Sequence, residues 1–186
     1  MGNTDDFSEG SRNKTLILID IKFILKEFLS ASKFYSDLYS GEESGIQKKE
    51  LADELDLKLF HTYICEYGHA SVQNSRMYFL FNGPEVGFFK EGSYESAQFV
   101  EYQNDITEAM EEILYENKEF SRTIIVADDY GYEGFIRQLQ EFGWSIGLIK
   151  HRKEGNNDHS TMPADLPYQY CDYVMGRCLG LGSGEL

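Results

Sequence analysis

Apolar residues along this chain fall into short continuous runs separated by stretches of helical periodicity. Lys14 opens the run TLILID, residues 15–20. It is brief, β-branched and bounded, which reads as a buried strand, and an unbroken apolar run of this kind suits a parallel sheet. Apolar positions at helical spacing follow over Ile24–Leu38, led by Ile24, Leu25, Phe28 and Leu29, and residues 40–45 read as a loop. Leu51, Leu55, Leu59, Phe60, Tyr63, Ile64 and Tyr67 form a second helical stripe with Gly68 as its stop. Met77–Phe81 is the second apolar strand, closed by Asn82-Gly83-Pro84. A hairpin around Lys90-Glu91-Gly92-Ser93 is expected over residues 86–102.

The later half repeats the alternation. Asp105–Tyr115 is predicted helical, with Ile106, Ala109, Met110, Ile113 and Leu114 turned inward. Thr123–Ala127 is the third strand and runs into Asp128 and Asp129. Tyr132, Phe135, Ile136, Leu139 and Phe142 mark one face of the next helix, Gly143 ends it, and Trp144–Ile149 is the fourth strand. A polar loop over 151–163 and one short element around Tyr170–Met175 complete the pattern. Strands alternating with helices predict an α/β fold, a mostly parallel central sheet with helices on both faces, as in a Rossmann-like three-layer sandwich. The expected organisation is a loose tail over 1–13, one domain over 14–179 and a tail over 180–186.

Composition narrows the functional classes. At 186 residues the chain is long enough for one domain with a substantial core. Its formal net charge of −15 opposes binding of nucleic acid by overall charge, so an RNA-binding reading must rest on a local site or a bound metal. No apolar run is long enough to span a membrane, and the opening residues carry neither a secretory apolar region nor the Ser or Thr of a myristoylation signal. Cys65, Cys171 and Cys178 are irregularly spaced, which favours a reducing, intracellular setting, cytoplasmic by default.

The chemistry-bearing feature is a set of acids at strand ends. Asp20 closes the first strand, Asp128 and Asp129 close the third, and Asp105 begins the helix before it. In a parallel sheet these positions share one edge, where ligands sit close to the reversal of strand order. Gathered carboxylates repel unless a cation neutralises them, and Mg²⁺ or Mn²⁺ suits such an oxygen-rich site. An ion held there supports hydrolysis of a phosphodiester. The structural alternative is capping: Asp105 with Glu108 fits a capping box, and Asp128 or Asp129 fits the cap of the following helix.

Three segments, KTLILID, TIIVADDYGYEGFIRQLQEFGWSIGLI and ADLPYQYCDYVM, together resemble the NYN group of PIN-like nucleases. The resemblance covers about residues 14–29 and 104–176, and the segment 30–103 matches no pattern of that group. It implies a PIN-like fold and a metal-dependent endoribonuclease. Asp20 matches the family's first-strand acid, Asp129 the first acid of its turn, and Asp105 more loosely the acid before the middle helix. On this reading Asp20, Asp105 and Asp129 are catalytic, and together with Asp128 they hold Mg²⁺ or Mn²⁺. Phe23 stands where the family has Asn, Gly131 where it has its second turn Asp, and Ala127 where it has Ser. Receiver-domain and haloacid-dehalogenase readings fail, the first because too little chain follows Asp129, the second because Lys22 stands where a second Asp is needed.

Other constellations carry less. His61, Cys65 and His69 are zinc-competent types at i, i+4 and i+8, but Gly68 interrupts the stripe and ordinary packing is the expectation. Cys171 and Cys178 are expected as buried thiols. Lys150, Arg152 and Lys153 belong to the one dense basic cluster and are the candidate substrate-phosphate contacts, or else a solvated loop. Phe88, Phe89, Tyr94, Phe99 and Tyr102 crowd the unmatched segment, and with so much acid nearby they favour a contact with a protein partner or a second copy of the chain over base stacking. Two further classes therefore stand beside the nuclease: a weakened PIN-like domain serving as a protein-interaction module, and an acidic mimic of nucleic acid.

Overall fold

A computed structural model describes residues 14–39, 55–84, 94–128, 131–151 and 166–178. Six parallel strands form one sheet: β1 (Thr15–Asp20), β2 (Ser75–Phe81), β3 (Ala97–Glu101), β4 (Arg122–Val126), β5 (Ser145–Lys150) and β6 (Tyr168–Tyr170). Their spatial order is β3-β2-β1-β4-β5-β6. The chain builds outward from β1 to β3, crosses back over the sheet, and builds outward again from β4. The reversal falls between β1 and β4.

Alternation along the central strands sorts their side chains onto two cores. Ile17 and Ile19 of β1 face one way, onto a cluster with Ile24, Phe28, Phe60, Ile64, Val174 and others. These come from α1 (Ile21–Tyr39), α2 (Leu57–Tyr67) and α5 (Cys171–Cys178). Leu16 and Leu18 face the other way, onto Met110, Ile113, Phe135, Ile136 and Leu139 of α3 (Ile106–Glu116) and α4 (Glu133–Glu141). Both faces are covered, which explains why the central strands are apolar without alternation. The architecture is a three-layer α/β sandwich. No described helix is long and apolar enough to cross a membrane.

Local chemistry fixes the helix ends. Asp56 caps α2, its carboxylate accepting from the backbone N–H groups of Lys58 and Leu59 at 2.9 and 3.1 Å. At the other end Gly68 is required by close approach, since a Cβ there would collide with the Ile124 side chain. The Arg122 guanidinium then donates to the carbonyls of Gly68 and His69, closing acceptors that the end of α2 leaves open.

Three expectations change. Residues 97–101 do not return as one arm of a hairpin: β3 runs parallel to β2 at the sheet edge, Met77 level with Ala97. The first half of the expected hairpin lies outside the described residues. The single element expected near residue 170 is two, the three-residue strand β6 and then α5. The aromatics Tyr94, Phe99 and Tyr102, expected at a partner's surface, pack against the chain's own cores. Phe99 stacks on Phe79 with ring centroids 5.1 Å apart. Phe88 and Phe89 lie outside the described residues.

Candidate functional site at the carboxyl edge of the sheet

Asp20 is the last residue of β1, and α1 begins at the next residue without a loop. This junction makes Asp20 a helix cap. Its Oδ1 accepts from the backbone N–H of Lys22 at 2.9 Å and of Phe23 at 3.4 Å. Its Oδ2 accepts from the Tyr132 hydroxyl at 3.1 Å. Burial pushes the Asp20 carboxyl up from its ordinary value, and these hydrogen bonds with the nearby Lys22 only partly oppose the effect. Ile19 is level with Val126, which puts Ala127 beside Asp20 across the β1–β4 junction. Asp128 follows one residue beyond.

Asp105 caps α3. Its Oδ1 accepts from the Thr107 backbone N–H at 2.7 Å and from the Thr107 hydroxyl at 2.8 Å, and those bonds hold its carboxyl below the ordinary value. Tyr132 hydrogen-bonds Asp20 and feels the charge of Asp105 more weakly. Burial raises its hydroxyl pKa, and the charges of Asp20 and then Asp105 add to the rise. The structure therefore bonds Asp20 to Tyr132 at the carboxyl edge and leaves Asp105 engaged with Thr107. Asp129, Arg152 and Lys153 lie outside the described residues. Among the described residues, no group of three or more His, Cys, Asp or Glu side chains gathers closely enough to share a metal ion.

Lys150 ends β5 in the core, 2% exposed, with its ammonium 4.4 Å from the centroid of the Tyr168 ring. Next to it, His151 Nδ1 lies 2.9 Å from Oε1 of the buried Glu27 on α1. Phe23 is buried in the α1–α2–α5 core, so the position contributes packing and no polar group to the edge. Gly131 has φ +94°, a left-handed conformation in the turn into α4 that an aspartate adopts only with strain.

The stripe of zinc-competent residues is accounted for otherwise. With the Ser75 hydroxyl donating to the carbonyl of Val72 at 3.1 Å, His61 Nε2 carries the proton in its 2.7 Å bond to that oxygen. His61 Nδ1 then accepts from the Tyr94 hydroxyl at 2.7 Å. Cys65 Sγ lies 3.3 Å from the same serine oxygen. Burial lowers the His61 pKa to about 4. Cys171 is buried and Cys178 is partly buried, and burial raises both thiols, Cys178 to about 12.

Sequence reasoning missed Tyr132 as a site residue, since it sits in the apolar stripe of α4. The available signal was its hydroxyl: a buried tyrosine needs a polar partner, and Asp20 was the acid due at the same edge. The Glu27–His151 pair was also missed, because residues far apart in sequence give no local pattern. No protein-family model matches the chain, and no curated protein or solved structure matches it significantly.

Proposed function

We propose that this chain is a metal-dependent endoribonuclease of NYN and PIN-like type, hydrolysing RNA phosphodiesters at the carboxyl edge between β1 and β4. The observation that supports this most is the position of Asp20: a half-buried carboxylate at the strand-order reversal, with its charged form disfavoured and Asp128 following its neighbour in the sheet. An α/β sheet places ligands in the crevice at that reversal. Mg²⁺ commonly takes only one or two carboxylates and completes its shell with water and substrate phosphate, so on this reading Asp20 and Asp128 would suffice as its protein ligands. Asp105 and Asp129 would complete the acidic edge. When bound, the ion would supply a hydroxide nucleophile and charge stabilisation for in-line displacement. Tyr132 holds the Asp20 carboxylate in place, and the backbone N–H groups at the start of α1 orient its other oxygen.

A second reading has its own support. Both Asp20 oxygens already accept hydrogen bonds within the chain, and Phe23 and Gly131 bring no polar side chain to the edge. That pattern favours a PIN-like domain whose catalysis has weakened and which serves as a protein-interaction module.

Cleavage of labelled single-stranded RNA with Mn²⁺ or Mg²⁺, by wild type beside Asp20→Asn, separates the two. The nuclease reading expects metal-dependent cleavage and a loss of about 100-fold or more in the variant, as for removal of a group that organises transition-state charge. It also expects Mn²⁺ to raise the melting temperature of the wild type and not of Asp20→Asn. A thermal response without cleavage, or neither, leaves the interaction module as the better reading.

A further inference from the structure

Away from the acidic edge, residues from the later turns of α3 and α4 and from the segments that follow them line a groove of about 500 Å³. Its apolar surface comes from Leu114, Tyr115, Leu139, Phe142 and Trp144. Tyr115 is 72% exposed and Phe142 is 73% exposed, which is costly for large aromatics unless a partner covers them. The charged lining is Glu111, Glu112 and Glu116 of α3 with Lys118 just beyond it, three acids against one base. The Lys118 ammonium, itself part of the lining, lies 3.7 Å from the centroid of the Tyr115 ring, so the chain's own cation already rests on one of the groove's aromatics.

We propose that this groove docks a basic amphipathic helix of a protein partner. A groove between two helices receives the apolar face of a third, read as anchors one turn apart. The aromatic floor supplies the anchor pocket, as in binding hot spots rich in tyrosine and tryptophan. The acidic rim on α3 selects Lys and Arg beside those anchors and repels acidic helices, so charge decides the partner's class. The site shares no residue with the carboxyl edge and does not depend on the nuclease reading.

Trp144 is the chain's single tryptophan, so its fluorescence reports on the groove directly. The test uses the full chain and three synthetic helices of about 15 residues, long enough for several turns. One carries a leucine face with lysines, one a leucine face with glutamates, and one lysines with serine in place of leucine. The Leu/Lys peptide should shift Trp144 emission to the blue and bind saturably. The other two should bind at least about tenfold more weakly. Phe142→Ser and Tyr115→Ser change exposed side chains, leave the fold intact by circular dichroism, and should each weaken the Leu/Lys peptide by about tenfold. If the Lys/Ser peptide binds as well as Leu/Lys, or if Phe142→Ser leaves binding unchanged, attraction is only to the chain's overall negative charge and the proposal fails. Light scattering that finds a dimer dissolved by Phe142→Ser assigns the groove to a second copy and also overturns it.

Discussion

Two polar groups on opposite faces of the sheet, the buried His61 and the half-buried Asp20, meet the same kind of penalty and resolve it differently. Burial disfavours the charged form of each. His61 escapes by staying neutral, with both ring nitrogens engaged and every partner inside the core. Asp20 lies at the edge, where its neighbours are backbone N–H groups, one phenol and a second acid within electrostatic reach of that phenol. A closed network is a structural device. Asp20 is instead left with its charge only partly compensated, at the strand-order reversal. The contrast teaches that hydrogen-bond satisfaction alone does not fix how a desolvated group is compensated; the state of charge and the place in the topology do.

The sharpest way to break this comparison is to open the closed network. His61→Ala deletes both hydrogen bonds, strands Ser75 and Tyr94, and leaves a cavity, so urea unfolding should show a loss of about 3 kcal/mol. A loss under about 1 kcal/mol means that the histidine is not structural.

Acid should separate the two groups by sign. His61 titrates at about 4 in the fold and near 6.5 when unfolded. Between those values the unfolded chain binds the extra proton, so stability is full above 6.5 and falls as pH drops toward 4. The whole effect is on the order of 3 kcal/mol. Asp20 works the other way: its folded pKa is raised above 3.8, so acidification through the folded value recovers stability that its ionisation costs. Subtracting the pH profile of His61→Gln from that of wild type should isolate a loss confined to the range from 6.5 down to 4. A flat difference removes the assignment of His61 as a neutral core group.

The two regions also differ in how far the sequence reveals them. β1, β4 and β5 announce themselves because both of their faces are buried, and Asp20, Asp105 and Gly68 fall where strand ends, caps and stops place them. β3 escapes because an edge strand is only partly buried and its residues lack a clean pattern. β6 is three residues long, too short for any periodicity. Lys150 reads as one of a basic run, while the fold draws its stem into the core and sets its ammonium over Tyr168. The partners of Asp20 and His61 come from 112 and 33 residues away, and contacts over such separations leave no trace in local spacing.

A smaller change sharpens the edge. Tyr132→Phe removes one hydrogen bond to a carboxylate and keeps the ring, at a cost near 1 kcal/mol. Because that bond lowers the Asp20 pKa, the carboxyl should titrate higher in the variant, as followed by NMR of the side-chain carbon. An unchanged titration means that the phenol does not hold Asp20 in solution.

The smallest stability effect, and a clean discrimination, is expected from Asp105→Asn. Asparagine caps a helix about as well as aspartate, so the bonds to Thr107 persist and stability should change by no more than ~0.5 kcal/mol. What the substitution removes is a negative charge within reach of Tyr132. If Asp105 only caps α3, the Mn²⁺-dependent rise in melting temperature should survive intact. If it belongs with Asp20 around a cation, that rise should shrink in the variant while stability without metal stays the same. Measuring both melting curves separates the cap from the charge, because the two roles of this carboxylate respond to different atoms: the cap needs an oxygen acceptor, which asparagine supplies, and the cation needs the charge, which it does not.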